Sequence, residues 1–294
     1  MNKFGGVMAL ALCGLFWSTA GIFIKNVNAS SFTIAGFRSL IALATFVVAL
    51  RKVPVFRIKN EEGKTDRSAT LYLWLGGVSY SATMILFCAA NKMTTSANAV
   101  LLQYSYPIWV IFFGPVILGE KNRKSDFVTV VGVLVGVFLF FYSDLDAGKL
   151  LGNILAALSG LTFAGTTIFM RKQRSAASAT SFMLSHFITA VACIPFYFTN
   201  GIAAGDWTSI ICIFALGVFQ MAFANLLFSK GIGSVTALSA SIITMIEPLM
   251  NPVWVMIFAG EVPGLLCVIG GAMILGCIIF REFVVSKISP SKTE

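Results

Sequence analysis

Apolar residues fall into ten long runs separated by short polar stretches: 5–24, 33–50, 70–90, 96–118, 127–143, 150–170, 180–199, 208–229, 235–259 and 264–283. Most have the length, about 17–25 residues, that an α-helix needs to cross about 30 Å of hydrocarbon. Strict alternation over about ten residues, the mark of a barrel strand, is absent. The pattern predicts an all-α membrane protein with ten transmembrane helices. The first run is read as a membrane helix rather than a leader, because an apolar stretch from Gly5 to Ile24 exceeds the about 7–15 residues of a signal-peptide core.

Composition strengthens this picture. Hydrophobic residues make up 57% of the 294 positions and charged residues 11%, with a mean hydropathy of +0.89; soluble domains carry about 25% charged residues. That is too little polar material to cover a water-facing surface, whereas a lipid-facing one needs none.

The net charge of +9 lies in the short stretches between runs: Arg51-Lys52, Arg57, Lys59, Lys64 and Arg67; Lys121, Arg123 and Lys124; Arg171, Lys172 and Arg174. With the amino terminus in the cytoplasm, 17 Lys and Arg residues lie inside. Only Lys25, Lys92 and Lys149 fall outside, and Arg38 sits within the second run. The asymmetry predicts that both termini are cytoplasmic and that the protein is a multi-pass component of the cell inner membrane. Basic residues neither line one face nor interleave with aromatics, so nucleic acid is not an expected partner. The lipid bilayer and a small-molecule substrate are. The stretch 51–69 reads as a solvated cytoplasmic loop, and 286–294 as a polar tail.

The six cysteines all lie in apolar runs without metal-ligand spacing and read as small packing residues. No phosphate-binding glycine loop, nucleophile–base arrangement or metal-ligand cluster is present. No enzymatic activity, cofactor or built-in ATPase is therefore expected.

The chain also resembles itself. An offset of 146 lays Gly6 on Gly152, Gly14-Leu15 on Gly160-Leu161, Trp17 on Phe163 and Lys25 on Arg171. An offset of 148 lays Arg38 on His186, and one of 141 lays Pro107 on Pro248 and Gly119-Glu120 on Gly260-Glu261. Five runs per half is an odd number, so the second half enters the membrane from the opposite side. Such inverted repeats are a signature of secondary transporters. The expected organisation is a five-helix repeat over 1–146, a second over 147–285, and the tail 286–294.

These landmarks resemble the drug/metabolite transporter superfamily, specifically its ten-helix EamA-type members. The matching features are Trp17 in Gly14-Leu-Phe-Trp17-Ser, Arg38 in Phe37-Arg38-Ser-Leu, Pro107 followed by Leu118-Gly119-Glu120, and Glu247-Pro248-Leu followed by Gly260-Glu261. The resemblance implies a central site lined by spans 1–4 and 6–9. Spans 5 and 10 would be peripheral, where oligomer contacts often form, so a homodimer is one assembly it allows. It implies small metabolites as cargo, with amino acids and their analogues prominent among exporters. Some relatives carry choline, nucleotide sugars or phosphorylated sugars.

A charge within a membrane span costs about 2.5–3.5 kcal/mol on insertion scales, so each one needs a reason. Glu247, midway along the ninth run, is a candidate proton or cation site. His186, the only histidine, is a second candidate for coupling. Trp17, Tyr80, Gln103, Tyr104, Tyr106, Phe163, Asn225 and Glu247 are the substrate-binding candidates, because aromatics with a few amides suit an amphipathic or cationic organic molecule. Pro107 and Pro248 are the gating candidates, since proline removes a helix hydrogen bond. Arg38 reads as able to snorkel to the outer surface, Glu120 and Glu261 as structural, and Tyr72 and Trp74 as interface anchors.

The expected function is a secondary transporter working by alternating access, an exporter of amino acids or related metabolites. Uptake of an organic cation such as choline is the alternative within that class. A non-transporting membrane scaffold or receptor is the alternative outside it.

Overall fold

The computed structural model describes residues 3–60, 63–94, 96–142, 150–199, 202, 205–259 and 264–288. Among these, all regular structure is helical apart from one isolated antiparallel bridge, Lys59–Thr65, in the long polar loop. In chain order the elements are α1 (Lys3–Trp17), α2 (Ala20–Lys25), α3 (Ser31–Leu50), α4 (Arg67–Met93), α5 (Ser96–Gln103), α6 (Tyr106–Leu118) and α7 (Lys124–Phe141). These are followed by α8 (Leu150–Ala192), α9 (Ile194–Thr199), α10 (Trp207–Ala215), a π-helical stretch π1 (Leu216–Phe223), α11 (Ala224–Ile232), α12 (Ala237–Ile243), α13 (Ile246–Ala259) and α14 (Leu265–Ile288). Among the described residues, six helical stretches are long and apolar enough to cross a membrane: Ser31–Leu50, Arg67–Ala90, Asn98–Leu118, Lys124–Phe141, Leu150–Gln173 and Trp207–Ile232. Shorter apolar helices cover Lys3–Trp17, Ser178–Ala192, Ala237–Met250 and Leu265–Arg281.

Helix α8 is not a straight rod. Ser181 Oγ donates to Gln173 Oε1 at 2.9 Å, whereas residues eight apart in a straight helix are separated by about 12 Å. The chain therefore reverses between Gln173 and Ser178, and both arms pack along α4. On the first arm Thr162 meets Thr83 (2.9 Å) and Gln173 donates to the Tyr72 carbonyl (2.6 Å). On the second, Ser181 donates to the Leu73 carbonyl (3.1 Å) and Thr189 to Ser81 (2.9 Å). The arms thus run in opposite directions, both beside α4.

Helices α7 and α14 pair closely at one side. A Cβ on Gly270 would lie 2.5 Å from the Gly136 carbonyl oxygen, so the two backbones touch where a side chain would hold them apart. Outward from this pair point Val128, Val131 and Phe138 of α7 and Val268, Ile279 and Phe280 of α14, all exposed. An apolar outer surface over an internally bonded helical backbone is what a bilayer solvent selects.

Several apolar runs that look continuous in sequence are interrupted in the fold. Breaks fall at Ser18-Thr19, at Tyr104-Ser105, at Cys193 and at Thr244-Met245. Hydroxyl side chains bond back to carbonyls there. Ser18 donates to Leu15 O (2.6 Å), Thr19 to Phe16 O (2.7 Å) and Ser105 to Leu102 O (2.6 Å). Local repair of this kind is what makes broken helices tolerable in a membrane. Pro107 and Pro248 do not kink the middle of a helix: they occupy the first turns of α6 and α13, directly after breaks, where a missing N–H costs little.

Candidate functional site

Three of the breaks converge. Gly14 of α1 packs against the α12–α13 break, where a Cβ would come 3.3 Å from Thr244 O and 3.4 Å from Glu247 N. Trp254, further along α13, donates its indole N–H to Ser18 Oγ at 2.9 Å and so joins that helix to the break between α1 and α2. From the α5–α6 break, Tyr106 shares a 2.6 Å hydroxyl hydrogen bond with Thr244 and also donates to the Ser241 carbonyl. Tyr104, at that same break, is buried, with its ring 6.2 Å from that of Tyr106. Glu247 is the second residue of α13, so its charge sits at the positive end of the helix dipole.

Aromatic rings connect this junction to the rest of the bundle. Phe163 of α8 lies between Tyr106 (ring centroids 4.6 Å apart) and Trp17 (5.7 Å, edge-on), and Trp17 also meets Phe228 of α11 at 5.6 Å. Such pairs contribute about 0.5–1.5 kcal/mol beyond their burial.

Asn225 is the polar hub on the far side of Trp17. Its amide oxygen accepts from Trp17 Nε1 and from the Tyr80 hydroxyl, both at 3.2 Å, and its Nδ2 lies 3.0 Å from His186 Nε2. Two donors on the oxygen fix the amide orientation. Nδ2 must then donate, so Nε2 of a neutral His186 accepts and the proton sits on Nδ1, which has no hydrogen-bond partner. Tyr80 also contacts Met221 Sδ at 3.6 Å and lies edge-on to Phe182 at 4.8 Å.

The fold thus brings together Trp17, Tyr80, Phe163, Asn225 and His186, and beside them Tyr104, Tyr106 and Glu247. Gln103 stands apart. It ends α5 half-buried, its carbonyl oxygen lies where a Cβ on Gly160 would approach to 2.8 Å, and no described hydrogen bond joins its side chain to the cluster. Pro107 and Pro248 flank the junction through their breaks. Arg38 does not snorkel: it is buried in the bundle. Sequence reasoning also missed Gln220 and Thr244, although a lone amide and a hydroxyl inside apolar runs were the signal available. Tyr72 and Trp74 lie near one rim: Lys172 Nζ sits 5.9 Å over the Tyr72 ring, and Trp74 donates to the Phe56 carbonyl (3.0 Å).

Two ionic groups lie away from this site. Glu120 accepts from Arg171 Nε through one oxygen and from the Ala237 backbone N–H through the other, both at 2.9 Å, while Arg171 reaches the Gly233 carbonyl at 2.8 Å. Arg281 pairs with Asp126 at 3.4 Å, both buried, and donates to Ser239 and Thr236, joining α14, α7 and the start of α12. Gly260 and Glu261 lie outside the described residues.

A protein-family model for EamA-like transporters matches residues 4–142 and 150–281, nearly the whole chain. The chain belongs to the EamA-like transporter family. Several relatives of this EamA-like transporter are similar along most of their length. An uncharacterised transporter of Archaeoglobus fulgidus is 29% identical over 280 residues, covering 93% of this chain and 95% of the relative. The pseudopaline exporter CntI of Pseudomonas aeruginosa is 24% identical over 285 residues, covering 93% and 94%. Solute carrier family 35 member G1 of Mus musculus is 23% identical over 70% of this chain and 57% of its own length. A solved crystal structure with 16% sequence identity superposes with a TM-score of 0.79 over 98% of this chain and 99% of the other, which shows the shared fold.

Proposed function

We propose that this EamA-like transporter is a secondary transporter that exports a small organic metabolite, an amino acid or related molecule, across the cell inner membrane by alternating access. In this reading the chain crosses the membrane ten times as two inverted five-helix halves, 1–146 and 147–285, with both termini cytoplasmic. The separate family matches over 4–142 and 150–281 support that division.

The observation that carries the proposal is the meeting of interrupted helices from both halves, α1–α2 and α5–α6 with α12–α13, around Glu247 and a layer of aromatic rings. Discontinuous helices at corresponding places of two repeats are where transporters of this architecture bind cargo, because loose backbone and helix ends supply polar groups at mid-membrane depth. A packed polar network of this kind also weighs against a non-transporting scaffold, for which an apolar bundle interior suffices. Glu247 and His186 are the proposed coupling residues, and Pro107 and Pro248 the proposed gates.

A second reading, uptake of an organic cation such as choline, is supported by the proximity of Glu247 to Tyr104 and Tyr106. The test is a proteoliposome flux screen of amino acids and quaternary amines, with and without a pH gradient. Movement of amino acids upholds the first reading, movement of quaternary amines alone replaces it with the second, and movement of neither sinks both.

A further inference from the structure

The chain that follows α3 folds back onto the outside of the bundle. Arg51, the cap residue of α3, takes a left-handed conformation with φ of 51°, and the next residues run against α4 and the second arm of α8. Trp74 of α4 donates its indole N–H to the Phe56 carbonyl at 3.0 Å. The Phe56 ring lies 6.1 Å from that of Trp74 and 5.6 Å, edge-on, from that of Phe187. Ile58 is tied to the start of α4: its N–H donates to Thr70 Oγ1 at 3.0 Å and its carbonyl accepts from Asp66 N at 2.8 Å. Trp74 stands about 10 Å along α4 from its first residue, Arg67. Phe56 is therefore held against the side of the helices, not above their ends.

Residues 51–59 read Arg-Lys-Val-Pro-Val-Phe-Arg-Ile-Lys, with four cations and no acid. Arg51, Lys52, Arg57 and Lys59 are all exposed, and none has a described side-chain hydrogen bond or ion pair. Asp66 is engaged as the cap of α4, accepting from Ala69 N at 3.0 Å; Glu61 and Glu62 lie outside the described residues. Val53 and Val55, between the cations, are exposed as well. A loop dissolved in water gains nothing by presenting these residues or by fixing an indole N–H. A loop that only covered the bundle would bury its aromatic contact, yet Phe56 is 44%, Trp74 38% and Phe187 37% exposed. The remaining apolar surface calls for hydrocarbon and the cations beside it call for anions. The headgroup boundary of a bilayer supplies both, and it is the level at which tryptophan gathers.

We propose that residues 51–59 form an interfacial segment that binds anionic phospholipid. Val53, Val55 and Phe56 lie at the acyl-chain boundary beside Trp74 and Phe187, and Arg51, Lys52, Arg57 and Lys59 hold the headgroups. In the orientation proposed above the segment sits on the cytoplasmic leaflet, whose anionic lipids attract basic segments next to membrane helices. The inference rests on α4 and α8 being membrane helices and is independent of the cargo site.

The test uses the full chain purified in detergent and titrated with dioleoyl phosphatidylglycerol or dioleoyl phosphatidylcholine, bound lipid being counted by native mass spectrometry. Phosphatidylglycerol binds more tightly than phosphatidylcholine, and inorganic phosphate at equal ionic strength does not displace it. One basic residue at an anionic surface is worth about fivefold in affinity. Arg57→Gln therefore weakens phosphatidylglycerol binding by about that factor, and Arg51→Gln, Lys52→Gln, Arg57→Gln and Lys59→Gln together by about 100-fold or more. Lys121→Gln with Lys124→Gln, in another basic stretch, leaves it unchanged. Equal affinity for the two lipids, displacement by phosphate, an unchanged fourfold variant or an equal loss in the Lys121/Lys124 control overturns the inference. A second measurement keeps all the charges. In vesicles, phosphatidylglycerol brominated on its acyl chains quenches the intrinsic fluorescence more than brominated phosphatidylcholine at the same content, and Trp74→Phe removes the excess. An excess that survives Trp74→Phe also overturns it. Flux in proteoliposomes without selective lipid binding would remove the role of this segment and leave the transport reading; lipid binding without flux would do the reverse.

Discussion

The Trp17 indole N–H and the Asn225 amide oxygen meet at 3.2 Å although the residues are 208 positions apart in the chain. The same oxygen serves Tyr80, and the amide nitrogen serves His186, so one side chain orients three others. Replacing Asn225 with Leu leaves the Trp17 indole N–H and His186 Nε2 without partners, each costing about 1–3 kcal/mol, and leaves the Tyr80 hydroxyl only the Met221 sulfur. Asn225→Leu should lower the thermal unfolding midpoint markedly, while Tyr80→Phe, which removes one donor and leaves Asn225 its other two partners, should lower it much less. Similar losses from the two variants would show that Asn225 is not the hub.

Pro107 and Pro248 act across the breaks they follow. A residue at 107 or 248 with an N–H would donate to the carbonyl four residues earlier, at Gln103 or Thr244, and so bridge the interruption. Proline prevents that bond at both places, and the Thr244 carbonyl accepts from Glu247 N at 3.0 Å instead. Pro107→Ala with Pro248→Ala should leave stability within about 1 kcal/mol of the parent while slowing flux through proteoliposomes. A barrier raised by about 1.4 kcal/mol slows flux tenfold. Unchanged flux and unchanged accessibility from both sides would remove these prolines from the gating mechanism.

The helical class and the apolar runs were legible because hydrocarbon-facing helices need long stretches free of charge, and the positions of Lys and Arg punctuate them. The breaks were not. Ser18 and Ser105 bond back to carbonyls with a hydroxyl no larger than a methyl group, so the runs around them remain apolar in sequence. The burial of Arg38 was also invisible, because a span does not reveal which of its faces meets lipid until its neighbours are known. Tyr80, Asn225 and Glu247 stood out as polar groups in apolar runs, but which of them touch depends on the order in which the helices pack. Gln103 stood out in the same way and lies off the network, since its place at the end of α5 leaves its carbonyl, rather than its amide, against α8.

The close approach of α7 and α14 depends on the absence of side chains at Gly136 and Gly270. A Cβ at Gly136 would come 2.8 Å from Ile274 Cγ1 and 3.1 Å from the Gly270 carbonyl, and at Gly270 the obstruction is backbone on both sides. Gly270→Val should separate the helices and weaken the buried Asp126–Arg281 pair between them, with a loss of at least about 1–3 kcal/mol from overpacking. Gly276→Ala, on α14 with nothing within 4 Å of its Cβ position, is the matched control and should be neutral or slightly stabilising. Thermal unfolding of the pair decides it: equal midpoints would contradict the close contact.

Glu120 ties together three separate segments at one end of the bundle: the end of α6, the Arg171 end of the first α8 arm, and the α11–α12 turn. The Glu120 and Arg171 side chains are about one-fifth to one-quarter exposed, so solvent screening limits the ion pair to about 0–1 kcal/mol of stability. The larger effect of breaking it should be positional, because both Glu120 oxygens are used and Ala237 N–H, at the start of α12, has no other described acceptor. Glu120→Ala should therefore change the unfolding midpoint little, yet raise the labelling rate of a cysteine placed at Gly233. In the parent protein, about 1 M salt shortens the Debye length to about 3 Å and should raise that rate part of the way, whereas the variant should show little salt response. A variant that labels no faster than the parent would mean that this end is held shut by packing alone.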